Sequence, residues 1–86
     1  MEPLAWNELK SKRLKKTRGA SFEELIKKGE LIATKDHPSR MLQELLLFKY
    51  KKYIWVVPFV RNEGRWFLKT LYPSRKYTKL LKERGL

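Results

Sequence analysis

The run Tyr53-Ile54-Trp55-Val56-Val57-Pro58-Phe59-Val60, the turn Arg61-Asn62-Glu63-Gly64 and the run Arg65-Trp66-Phe67-Leu68-Lys69-Thr70-Leu71-Tyr72 decide the fold. Both runs are rich in β-branched and aromatic residues and are joined by hairpin chemistry, so they read as consecutive antiparallel strands. Pro58 has no N–H for a ladder, and a bulge or a locally unpaired position is expected there. On the last strand, alternation puts Trp66, Leu68, Thr70 and Tyr72 on one face and Arg65, Phe67, Lys69 and Leu71 on the other. Pro73 closes that strand, and Ser74 is a good N-cap for a helix over residues 75–81. Arg75 is thereby held at a strand-to-helix junction, where its cation opposes the helix dipole unless an anion arrives, so the junction reads as a phosphate site. Arg65 and Lys69 place further cations along the strand that leads to it, in line for an extended phosphate backbone.

Working upstream, Lys51-Lys52 is a short break. Residues 43–50 hold Leu45, Leu46, Leu47 and Phe48 in succession, which periodicity alone allows to be a helix; the neighbouring strands favour a strand. Asp36-His37-Pro38-Ser39 is turn chemistry. Leu31-Ile32-Ala33-Thr34 fits a short strand or the end of a helical hairpin, and reads as a strand. Ser21-Phe22-Glu23-Glu24 has the form of a capping box, with Ser21 satisfying the Glu24 amide and Glu24 reaching back, and that helix stops at Gly29. A first helix is expected over residues 7–18, ended by Gly19 in the left-handed conformation. Six of its nine residues from Lys10 to Arg18 are basic, which leaves Trp6, Leu9, Leu14 and Thr17 to pack. The fold class is therefore α+β in one domain, residues 1–86: two N-terminal helices, an antiparallel meander of three to four strands and a C-terminal helix, with the helices gathered on one side of the sheet.

The chain has 86 residues, of which 42% are hydrophobic, enough for one small core. Lys and Arg number 21 against 9 Asp and Glu, a net charge of +12, and this excess calls for an acidic partner rather than serving solubility alone. With no cysteine and a single histidine, no metal site and no metal cofactor are expected. The N-terminus Met1-Glu2-Pro3-Leu4-Ala5 has no basic start or apolar run, and no stretch approaches membrane-spanning length, so the default compartment is the cytoplasm.

Trp6-Asn7-Glu8 before a Lys-rich helix, Arg18-Gly19-Ala20-Ser21-Phe22-Glu23-Glu24, the Asp36-His37-Pro38 turn and the closing Pro73-Ser74-Arg75-Lys76 together resemble the BrnT-like toxins of bacterial type II toxin-antitoxin systems, compact relatives of the RelE ribonuclease fold. The resemblance spans nearly the whole chain. It departs from the family at Tyr77-Thr78, where Ala and Thr often follow the last motif, and at Ser39-Arg40-Met41-Leu42, which replaces an acidic segment.

The resemblance implies a metal-independent endoribonuclease that cuts messenger RNA and is neutralised by a cognate antitoxin, any operator DNA being contacted only through that antitoxin. Such cleavage needs a base at the ribose 2′-hydroxyl, cations on the non-bridging oxygens and an acid at the leaving 5′-oxygen. Arg75, Arg65 and Lys69 suit the cationic role. His37 is the first candidate for proton transfer, against the alternative of an exposed loop residue. Lys49, Lys51 and Lys52 supply an alternative lysine base and RNA contacts, or a solvated turn. Tyr77 is a candidate proton donor or a packing aromatic. Trp6, Tyr53, Trp55 and Tyr72 can stack bases, Trp6 alternatively stapling the first helix, and Lys76 adds a backbone contact. From another class, the same cations and aromatics would make a non-catalytic RNA- or DNA-binding module, and a third reading makes the basic face a dock for an acidic protein.

Overall fold

The computed structural model describes residues 3–85; the expectation of no leader, in so far as it rests on Met1 and Glu2, falls outside them. The elements are β1 (Leu4–Ala5), α1 (Glu8–Arg18), α2 (Phe22–Lys28), β2 (Glu30–Asp36), β3 (Glu44–Tyr50), β4 (Tyr53–Asn62), β5 (Arg65–Leu68), β6 (Tyr72–Ser74) and α3 (Arg75–Arg84). Among the described residues no helix is long and apolar enough to cross a membrane.

β2 to β5 form the expected antiparallel meander, with Leu46 opposite Val57 and Val60 opposite Phe67. The sheet is nonetheless six-stranded and mixed, not an antiparallel meander of three to four strands. β1 runs parallel to β5, with Leu4 opposite Trp66 and Ala5 opposite Phe67. A two-residue strand has no periodicity to read, and only its partner makes it one. Both tight hairpins turn through positive φ: Glu63 (50°) and Gly64 (74°) between β4 and β5, Lys51 (51°) and Lys52 (66°) between β3 and β4.

The expected strand over residues 65–72 is broken in two. Phe59 faces Leu68 and Val56 faces Tyr72, so three steps on β4 are matched by four on the partner. That extra residue is a bulge, and it falls opposite Pro58, which has no N–H to offer the ladder. The bulge also corrects the facial assignment: Leu71 is wholly buried with Leu68 in the larger core cluster, and Tyr72 moves to the face of Val56.

The helices do not gather on one side. Leu14, Ala20, Phe22 and Leu25 of the first two helices and their connection pack with Leu46, Phe48, Trp55, Val57 and Phe59. On the opposite face Leu45, Leu47, Ile54 and Val56 are covered by Tyr77 and Leu81 of α3. Burial on both faces is why β3 and β4 read as continuous apolar runs rather than alternating ones.

Ser21 and Ser74 cap their helices as expected, whereas the helix expected from residue 7 starts at Glu8 with Asn7 as its cap. Asn7 Oδ1 accepts from Lys10 N, Ser21 Oγ from Glu24 N and Ser74 Oγ from Tyr77 N, each at 3.0–3.1 Å. Gly19 ends α1 at φ 96°, donating to the Lys15 carbonyl. The expected packing of Leu9 and Thr17 fails. Leu9 is 72% exposed and Thr17 is exposed, because the inward stripe of α1 is Ser11 and Leu14. Ser11 is fully buried, accepting from Phe22 N at 3.1 Å and donating to the Glu23 carboxylate. The Glu24 carboxylate reaches back to the cap, accepting from the Ser21 hydroxyl at 3.4 Å, and is also held by Lys15 (2.7 Å) and the Tyr50 hydroxyl (2.8 Å).

Candidate functional site

The bulge builds the site. Lys69 N donates to the Pro58 carbonyl at 2.8 Å, and Arg18 of α1 donates to the Leu71 carbonyl at 2.7 Å and Thr70 Oγ1 at 3.3 Å. Residues 69–71 are therefore pinned from both sides. Beside them opens a cavity of about 300 Å³ lined by Lys69, Thr70 and Tyr72, by Pro58 of β4, by His37, Arg40 and Gln43 from the turn between β2 and β3, and by Lys10 of α1. Three cations, an imidazole and a 37%-exposed tyrosine thus share one recess, with no carboxylate among the described residues of its lining. A neighbouring recess of about 490 Å³ is larger but is lined by Asp36 and Glu44 and holds the Glu44–Arg61 ion pair, so it suits an anion less well.

His37 is half-buried, and its Nδ1 lies 3.1 Å from both the Ser39 and Arg40 main-chain nitrogens. Those amides can only donate, so Nδ1 accepts twice and the ring proton sits on Nε2. In this geometry His37 offers Nε2–H as a hydrogen-bond donor. A proton-transfer cycle would need an N–H on Nδ1, set against two others.

The other residues named from sequence do not converge on the cavity. Arg65 faces Asn62 and lines a recess of about 150 Å³ with Arg61, Gly64 and Trp66. Arg75, exposed at the start of α3, lines a recess of about 290 Å³ with Tyr53, Lys79 and Lys82. The positions of β4 opposite Arg65, beside Lys69 and next to Arg75 run from Asn62 through Pro58 to Ile54, so the three cations are strung along the sheet, not gathered at one phosphate. Lys49 and Lys52 line a further recess of about 480 Å³ with Thr78, Leu81 and Lys82. Lys51 lies over the Tyr50 ring at 5.2 Å.

Three aromatics turn out to pack. Trp6 is half-buried with its ring 6.1 Å from Phe22, which is the stapling alternative. Trp55 is 7% exposed and donates to the Tyr50 carbonyl. Tyr77 packs on the second core cluster with Lys76 over its ring at 5.7 Å. Tyr53 and Tyr72 remain open to solvent. Sequence reading missed Lys10, Arg40, Gln43 and Thr70 as cavity residues. Only their basic or polar character was visible; their meeting is made by β2–β3 and α1 folding onto the bulge.

Away from the cavity, the Lys15 ammonium, followed by the Tyr50 hydroxyl, holds the Glu24 carboxyl at about 2. The same hydrogen bonds raise Lys15 and Tyr50. Arg61 likewise lowers Glu44, through a bidentate contact at 2.5 and 3.0 Å. These acids are structural partners of cations. Among the described residues no three His, Asp or Glu side chains gather as metal ligands.

No protein-family model matches this chain, and no curated protein matches it. Among solved structures, the crystal structure of the Brucella abortus ribonuclease toxin BrnT is similar, with a TM-score of 0.58 and 12% identity over 86% of this chain and 97% of that one. The chain therefore has a BrnT-type fold.

Proposed function

We propose that this chain is the toxin of a type II toxin-antitoxin pair: an endoribonuclease that cuts messenger RNA in the cytoplasm without a metal and is silenced by a cognate antitoxin. The observation that carries this reading is the Lys10–His37–Arg40–Lys69–Tyr72 cavity, cationic, free of carboxylates among the described residues and set on a BrnT-type fold.

The chemistry follows from those side chains. Tyr72 stacks a base and orders the strand across the recess. The 2′-oxygen attacks the adjacent phosphorus as the bond to the 5′-oxygen breaks, leaving a 2′,3′-cyclic phosphate and a 5′-hydroxyl. Lys10 and Arg40, with His37 Nε2–H, hold the non-bridging oxygens as negative charge builds. The Lys69 ammonium gives its proton to the departing 5′-oxygen, and water takes the proton of the 2′-hydroxyl. Rate enhancement in this scheme is electrostatic and positional.

The locked Nδ1 of His37 also favours a second reading, a basic module that holds RNA or DNA without cutting it. Purified protein incubated with single-stranded RNA in EDTA separates the two. Fragments ending in 2′,3′-cyclic phosphate are expected; RNA left intact at stoichiometric excess of protein overturns the ribonuclease reading. Slowed growth on expression, relieved by the product of an adjacent gene, is the expected cellular counterpart.

A further inference from the structure

We infer that the Lys51-Lys52 hairpin and the adjoining flank of α3 form a second site for the phosphate backbone of single-stranded RNA, separate from the His37 cavity. The inference rests on the reading of RNA as substrate and adds where the strand runs outside the cavity.

Two recesses, of about 290 and 480 Å³, share Thr78 and Lys82 and so adjoin. Among the described residues five cations line them, Lys49, Lys52, Arg75, Lys79 and Lys82, and no carboxylate does. The multiply cationic lining, whose Lys79 ammonium lies 3.9 Å from the Glu83 carboxylate, calls for several phosphates in series rather than one small anion. Tyr53, 43% exposed at the same place, adds a face for a base.

Backbone conformation is a second, independent sign. Lys51 and Lys52 both hold positive φ, at 51° and 66°, in a two-residue hairpin where Asn-Gly is the unstrained choice. The other two-residue hairpin likewise holds Glu63 at 50° in its first position but meets the demand at its second with Gly64. At the position where that hairpin has glycine, Lys52 keeps a conformation that disfavours it, and it lines the recess. Position completes the case: Lys49 is opposite Ile54, and further along β4 Pro58 lines the His37 cavity. The four residue-to-residue steps from Ile54 to Pro58 span about 13 Å at ~3.3 Å each. That is the length of about four stacked nucleotides.

The test uses the full chain and uncleavable 2′-O-methyl RNA of three and ten nucleotides, with binding followed by fluorescence anisotropy across a salt series. The ten-nucleotide strand is expected to bind more tightly than the three. In the Lys51→Asn/Lys52→Gly and Lys49→Gln/Lys82→Gln double variants that gain is expected to shrink. The salt slope should fall by about 0.7 for each phosphate that is no longer neutralised. The hairpin variant is expected to melt higher than the parent while binding more weakly, so misfolding cannot produce the result. A ten-nucleotide strand that gains nothing over three, or variants with the parent's affinity and slope, overturns the second site, as does association with acidic protein but not with RNA. Unmodified RNA left uncut while the length dependence persists overturns the ribonuclease reading and supports this site; cutting without length dependence does the reverse.

Discussion

The Arg18 guanidinium donates to the Leu71 carbonyl at 2.7 Å, tying the last residue of α1 to the bulge that presents Lys69 and Thr70 to the cavity. Arg18→Ala removes a charge-assisted hydrogen bond and is expected to cost about 1–2 kcal/mol by chemical denaturation. Arg18→Lys should recover only part of this, because an ammonium cannot reproduce the planar fork that reaches both Leu71 and Thr70. Full recovery by lysine would show that charge alone matters there.

Acid should destabilise the fold through Glu24. Its folded value, about 2 against an ordinary 4.5, is depressed, so the stability it contributes is present above pH 4.5 and is lost as pH falls towards 2. Glu44, lowered by Arg61, acts with the same sign. Melting temperature measured across that window is expected to fall more gently for Glu24→Gln than for the parent, the Glu44 share remaining.

Lys69→Ala should lower RNA cleavage by about 10²–10⁴-fold, the loss of the acid at the departing 5′-oxygen. His37→Asn is expected to slow cleavage while leaving the shape of the pH–rate profile unchanged, since the two amides on Nδ1 leave the ring the role of hydrogen-bond donor through Nε2–H. A limb of the profile that vanishes in His37→Asn would restore His37 as an acid or base.

The Ser74→Ala change removes the acceptor for Tyr77 N at 3.1 Å and should cost about 1 kcal/mol. For a domain of this size that corresponds to roughly 4–8 °C in melting temperature.

Relieving the strained hairpin should do the opposite. Lys51→Asn/Lys52→Gly is expected to stabilise the chain by about 1–2 kcal/mol, read as a higher denaturant midpoint with an unchanged slope. No gain would mean that the positive φ values at this turn are held without strain.

Local features proved legible because their causes lie within a few residues of one another. The caps at Ser21 and Ser74, the left-handed stop at Gly19 and the Glu63-Gly64 hairpin each depend on neighbours in the chain, and each is where the residues demand. Pro58 announced an irregularity, because a missing N–H cannot be supplied from elsewhere. The side chosen by α3 was hidden: the apolar runs of β3 and β4 said that something covers both faces, but not which helix covers which. At the site, Lys69, Tyr72 and His37 could be named from sequence, whereas Lys10 and Arg40 could not, being basic residues among many.

The sequence by itself determined the α+β class, the order of the main elements, their caps and turns, and the cationic character of the molecule, since these depend on side-chain chemistry and short-range hydrogen bonds. Only the tertiary structure decided the parallel β1 edge, the two-sided cover of the sheet, the separation of Arg65, Lys69 and Arg75, and the cavity in which Lys10, His37, Arg40 and Lys69 meet. Those outcomes require segments far apart in the chain to be packed together, and no local pattern of residues encodes which distant partner each will find.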